Sequence, residues 1–134
     1  MTYKTKLSEG DTLEVFRNSL NEFSVGMREV DTTGKLALAS DDVIKFQIWE
    51  VNAAAPLIEI TSAGANSNGS TMENIVRGDG STTDATCKVK LSTVDSRTLA
   101  GGRQYNWRVG YDDISANQFE LAGWGKVTTH PAPA

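Results

Sequence analysis

The 134-residue chain holds one cysteine, one histidine and three prolines, and each scarcity removes a class of explanation. A lone thiol, Cys87, cannot close a disulfide within the chain. With neither a CxxC pair nor a Cys/His cluster, there is no ligand set for structural zinc. The lone imidazole, His130, stands in a closing His-Pro-Ala-Pro-Ala stretch that predicts a mobile, extended tail. Ser–His or Cys–His catalysis needs a base held within reach of its nucleophile, and a mobile tail does not hold one. No run approaches the ~20 apolar residues of a spanning helix, and residues 1–6 lack the apolar core of a signal peptide. The expected product is soluble and made without export. Basic residues are also few: 13 Lys and Arg against 17 Asp and Glu give a net charge of −4, which argues against a duplex nucleic acid as partner. The length suits one domain, which at this size buries roughly two-thirds of its unfolded surface and needs no disulfide.

What the sequence does have is a two-residue rhythm. Phe23, Val25 and Met27 alternate with Ser24, Gly26 and Arg28. Leu36 and Leu38 alternate again, and Val43 to Val51 forms the strongest strand, with Ile44, Phe46 and Ile48 on one face and Lys45, Gln47 and Trp49 on the other. Leu57 to Ile60 is short and enters through Pro56. Cys87, Val89 and Leu91 alternate, as do Tyr105, Trp107, Val109 and Tyr111, and a last strand is expected over 120–129. Between Asp11 and Phe23 the spacing of Leu13, Phe16 and Leu20 permits a helix. Arg17-Asn18-Ser19 interrupts it, so strand and turn are favoured. Residues 62–84 are rich in Gly, Ser and Asn and predict long flexible loops around one short strand near Met72–Arg77. The pattern describes an all-β, antiparallel sandwich of about seven or eight strands. It forms one domain over 1–129, with residues 1–12 as a possible extended arm and 130–134 as a tail.

The stretch from Leu91 to Val109 is the most informative. A strand ends at Leu91, a polar turn crosses the end of the sandwich, Leu99 can plug the core, and Gly101-Gly102 reverses the chain. Tyr105 is then placed to send its hydroxyl back to the crossing backbone, as in the tyrosine corner of immunoglobulin-like sandwiches; the alternative is an ordinary core aromatic.

Candidate chemistry is thin. Cys87 falls on the apolar side of its strand, where a thiol is inert. Asp41-Asp42 and Asp112-Asp113 are sequential neighbours at strand ends, so their side chains diverge rather than pair as glycosidase carboxylates do. Asp79 to Asp84 reads as a turn or a weak cation site without the ligand pattern of an EF-hand. Arg77-Gly78-Asp79 spells an adhesion tripeptide in ordinary turn material, and the Asn68-Gly69-Ser70 sequon matters only in a secreted chain. No catalytic, metal or cofactor-binding residues are assigned. Trp49, Trp107, Trp124, Tyr105 and Tyr111 can serve as core, protein interface or sugar platform; Trp107 and Tyr105 suit the core, and Trp49, on the polar face, and Trp124, between Gly123 and Gly125, are the better candidates for exposure.

The chain carries Gly10-Asp11-Thr12, Leu36-Ala37-Leu38, Ile44-Lys45-Phe46-Gln47-Ile48, and Val89-Lys90-Leu91. It continues with Asp95, Leu99, Gly102, Tyr105-Asn106-Trp107-Arg108-Val109 and Leu121-Ala122-Gly123. In this order, over about residues 9–128, the chain resembles the immunoglobulin-like β-sandwich structural proteins of tailed bacteriophages: baseplate upper protein amino-terminal domains and small head or tail accessory proteins. Residues 17–22 depart from that pattern as an insertion, and 62–84 is longer and more polar than the pattern needs. The resemblance implies a non-enzymatic virion protein made in the host cytoplasm. The first expectation is a capsid decoration or cement protein that binds the major capsid protein in many symmetric copies. A baseplate or tail adaptor and a carbohydrate-binding module are the alternatives. Neither nucleic acid nor membrane is an expected partner. Trp49, Trp124, Arg77, Asp79, Tyr3 and His130 are the expected interface residues, the last two on arms that order on binding.

Overall fold

Strands that alternate apolar and polar side chains bury one face each, and two sets of them satisfy that need against one another. The computed structural model describes residues 6–28, 35–113 and 117–131, and it is a sandwich of two sheets. Strands β1 (Lys6–Leu7), β3 (Asn21–Met27), β7 (Ala85–Leu91) and β6 (Thr71–Val76) lie side by side in that order. The opposing sheet runs β2 (Leu13–Phe16), β9 (Gln118–His130), β8 (Tyr105–Asp113), β4 (Val43–Glu50) and β5 (Ile58–Thr61). In register, Phe23 faces Val89 and Val25 faces Cys87, while Phe46 faces Val109 and Ile48 faces Trp107. These are the inward residues, and all are buried. Phe46 sits at the centre, its ring 5.3 Å from Phe23 across the sandwich and 6.0 Å from Trp107 on its own sheet.

Several expectations are corrected. The sheets are mixed rather than antiparallel: β1 runs parallel to β3 (Leu7 opposite Val25), and β2 runs parallel to β9 (Leu13 opposite Val127 through Phe16 opposite His130). The first segment leaves one sheet after Leu7, turns through Gly10 at φ +85°, and joins the other at Leu13. Thus residues 6–12 lie on the sandwich instead of forming a free arm, with Leu7 fully buried. A two-residue rhythm says which side chains point inward but not which way a strand runs, so direction was not readable. The described residues form nine strands. His130 is not in a loose tail: it closes β9, and its ring stacks on Phe16 at 4.8 Å. Leu36 and Leu38 are buried but lie outside any strand. Their backbone is held by the 76–80 turn, Gly80 N donating to Leu36 O (3.2 Å) and Leu38 N to Arg77 O (2.9 Å). The turn after Phe16 has Asn18 at φ +57°, which agrees with strand and turn rather than helix.

The crossing after Leu91 holds a helix that the sequence did not announce, α1 (Thr93–Thr98). Ser92 caps it, its hydroxyl accepting from Asp95 N (3.1 Å), so the segment satisfies an otherwise orphaned backbone donor. Leu99 is fully buried behind it, as expected, and the Tyr105 hydroxyl accepts from Ala100 N (2.9 Å).

Residues 62–70, part of the 62–84 stretch expected to form long flexible loops, are tied down by the folded chain. Asp95 is buried, and its carboxylate accepts from Asn66 Nδ2 (2.8 Å), Asn68 Nδ2 (2.8 Å) and Ser70 Oγ (2.5 Å). Ser70 Oγ also accepts from Ser92 N (2.8 Å), and Asn66 Nδ2 donates to Glu59 O on the edge strand β5 (3.2 Å). One carboxylate therefore joins α1, the loop and a sheet edge.

Candidate functional site

Trp107 decides which way Trp124 points. The Trp107 indole fills the inside of β8, and its Nε1 donates to Asp11 O (2.8 Å). The opposite residue on β9, Gly125, has no room for a side chain: a Cβ there would sit 2.1 Å from Asp11 O and 2.6 Å from Trp107 Nε1. Gly123 faces the same ring, so the intervening Trp124 projects outward, 43 % exposed. A bulge between Val109 and Gly110 then brings Leu121 opposite Gly110, which the Phe119 ring covers, and both apolar side chains are exposed. The result is an aromatic and aliphatic strip on the outer face of the five-stranded sheet.

Next to this strip lies an open groove of about 880 Å³, lined by Trp124, Leu121, Arg108, Trp49, Asn106 and Lys126 among others. The pairings explain who meets whom. Arg108 on β8 is directly opposite Gln47 on β4 and Trp124 on β9, while Asn106 is opposite Trp49 and Lys126. The guanidinium of Arg108 lies over the Trp49 ring at 4.0 Å from its centre. Gln47 Oε1 accepts from both Arg108 Nε and Trp49 Nε1, each at 3.0 Å. Gln47 Nε2 donates to Glu59 Oε2 at 2.6 Å, which fixes the amide. Partial burial pulls the Arg108 pKa below the ordinary arginine value. A second hollow of about 450 Å³ adjoins the groove, sharing Val51, Asn106 and Lys126 and extending to Thr128 and Thr129.

The other expected interface residues lie elsewhere, and most are engaged within the chain. Arg77 donates to Ala39 O (2.5 Å) and Asp42 O (2.9 Å), stitching the 36–42 segment to the sandwich. Gly78 is at φ +79° with Leu36 O where a Cβ would be. Asp79 closes its own turn, binding the Thr82 hydroxyl (2.7 Å) and the backbone N–H of Thr83, Ser81 and Thr82. These donors hold its carboxyl well below the usual range, the Thr82 hydroxyl contributing most. The tripeptide is thus a local brace. His130 Nε2 is 3.3 Å from Glu14 Oε1 at the β2–β9 seam, away from the groove. Tyr3 lies outside the described residues.

The fold brings the two tryptophans singled out in the sequence to one groove, together with residues between them that the sequence did not single out. Arg108, Gln47 and Asn106 were individually legible as outward residues from their alternation, and Lys126 was not singled out. Their convergence depends on β8 lying between β4 and β9, which no local pattern states.

Cys87 is buried and its thiol is pushed up to about 12 by desolvation, a protonated and unreactive state. Among the described residues no three His, Cys, Asp or Glu side chains cluster to hold a metal, and no helix is long and apolar enough to cross a membrane. Comparison of the chain with models of protein families and with curated proteins finds no match.

Proposed function

We propose that the chain is a non-enzymatic structural protein of a tailed-phage particle. In this reading it is an immunoglobulin-like decoration or cement protein that grips neighbouring shell subunits through the outer face of its five-stranded sheet. The observation that carries the docking surface is the joint exposure of Trp124, Leu121 and Phe119 beside the groove. Large rigid side chains gathered on one face are what protein interfaces use as anchors, and a monomer gains nothing from leaving them wet. The Trp49 ring has one face under Arg108 and its N–H bonded to Gln47, which favours this reading over a two-ring sugar platform.

Strand order supports the immunoglobulin-like assignment. The order β1-β3-β7-β6 matches the A-B-E-D sheet, and β9-β8-β4-β5 matches G-F-C with an added C′. The Tyr105 bond to Ala100 N stands where a tyrosine corner belongs. The phage assignment rests on the motif resemblance, with the major capsid protein as partner. Repetition on a symmetric shell would multiply modest contacts into durable attachment.

The test is size separation of the protein with and without emptied capsids. Stoichiometric co-migration is expected, and Trp124→Ala should weaken it about thirtyfold, the value of a ~2 kcal/mol interface anchor. A glycan-array signal without shell binding would refute the reading. Particle density for this chain only at the distal tail would reassign it to attachment there.

A further inference from the structure

The groove holds a cation that is built but not neutralised. Gln47 takes the Nε–H of Arg108 and Trp49 supports the guanidinium plane, so the fork is oriented while its terminal nitrogens have no hydrogen-bond partner among the described residues. No carboxylate among the described residues lies within ion-pair distance of it. Glu50, which also lines the groove, pairs with Arg103 (2.6 Å), and Glu59 is engaged by Gln47. Lys126, opposite Asn106, lines the groove and likewise has no ion-pair partner among the described residues. A chain of net charge −4 thus presents in one groove two cations without an ion-pair partner among the described residues, one of them partly desolvated, flanked by Trp124 and Leu121. A preoriented guanidinium matches a carboxylate through two parallel N–H···O bonds, and in a partly dry site that pair gains strength.

We propose that the groove receives an acidic peptide segment of a partner protein. An Asp or Glu side chain seats on the Arg108 fork beside Lys126, and an adjacent apolar side chain rests on Trp124 and Leu121. This deepens the docking reading above and depends on it. The site lies on the face of a sheet, so recognition runs through side chains rather than strand addition. An acidic saccharide would need open ring faces, and Arg108 already covers one face of Trp49. The exposed Leu121 and Val51 are instead seats for aliphatic side chains.

The probe is an array of blocked decapeptides with a central Glu or Asp flanked by varied apolar residues, paired with Gln and Asn counterparts. Binding is read by tryptophan fluorescence and by NMR of the Arg108 Nε–H and indole N–H signals. Acidic members should bind saturably and their amide counterparts at least about tenfold more weakly. Arg108→Gln should erase that difference, and Arg108→Lys should restore part of it, with circular dichroism confirming the fold of each. Equal binding of acid and amide peptides, or no binding by any acidic member, would overturn the proposal. So would a hyaluronan hexasaccharide that shifts the Arg108 signal when the peptides do not. Capsid binding separates the two readings. If Trp124→Ala weakens it about thirtyfold and Arg108→Gln leaves it intact, the docking face stands and the carboxylate assignment falls. If neither variant affects it, the docking face itself is wrong.

Discussion

Replacing Asp95 by alanine tests whether one buried carboxylate organises the end of the sandwich. The substitution removes the acceptor for Ser70 Oγ, Asn66 Nδ2 and Asn68 Nδ2 together. Asn68 is exposed, so water can take over its bond at little cost. Ser70 is fully buried, and Asn66 is half-buried with its other amide hydrogen already committed to Glu59 O. Each of these two loses a bond to a charged acceptor and keeps a desolvated donor, at about 1.5–3 kcal/mol apiece. The expected destabilisation is therefore about 3–6 kcal/mol, a large part of the ~5–15 kcal/mol that holds a domain of ordinary stability. For a chain of this length that corresponds to a fall of roughly 10–20 °C in Tm. Urea titration followed by circular dichroism at constant pH measures it. Asp95→Asn, which keeps the shape but turns one acceptor into a donor, should fall between wild type and Asp95→Ala. A Ser70→Ala, Asp95→Ala double mutant should cost less than the sum of the singles, because the two changes remove one shared bond. A loss below about 1 kcal/mol for Asp95→Ala would refute the reasoning, since it would mean that water satisfies the site unaided.

Gly125→Ala should destabilise by about 1–3 kcal/mol or more in the same titration, because the new methyl collides with Asp11 O and the Trp107 ring. Tyr105→Phe should cost about 1 kcal/mol, the worth of the hydroxyl bond to Ala100 N; an unchanged midpoint would mean that ring packing alone does the work. Cys87 should resist a thiol reagent at pH 8 in the native state and react fully in urea. Its folded pKa is raised above its ordinary value of 9.0 to about 12, so the native state keeps a proton that the unfolded state releases. Its contribution is complete below pH 9.0 and declines as pH climbs from there toward about 12, by about 1.4 kcal/mol per pH unit relative to Cys87→Ala.

The strands that alternate cleanly were legible because each buries a face in phase with its neighbours. Phe23–Met27, Ile44–Ile48, Cys87–Leu91 and Tyr105–Val109 all kept the rhythm expected of them. Leu36 and Leu38 show the limit of that signal. Their alternation marks burial, but whether a buried alternating segment becomes a strand depends on a neighbour with free backbone groups, and here the neighbour is a turn. Helix α1 was hidden because it is six residues long and mostly polar, held by a serine cap and by bonds from a loop some 25–29 positions earlier in the chain. The candidate groove was half legible. The glycines around Trp124 hinted at its exposure, but the reason lies across the ladder in Trp107, and the Arg108 site needs three strands to assemble.

The parallel seam between β2 and β9 has a mechanical meaning. Because Leu13–Phe16 and Val127–His130 point the same way, tension between the two ends of the chain drags one strand along the other. All the bonds of the seam are then strained at once, whereas a hairpin pulled open at its mouth gives way one rung at a time. A protein held by its two ends would resist tension in that direction and peel readily when tugged across it. Pulling single molecules along both axes should show the higher rupture force lengthwise.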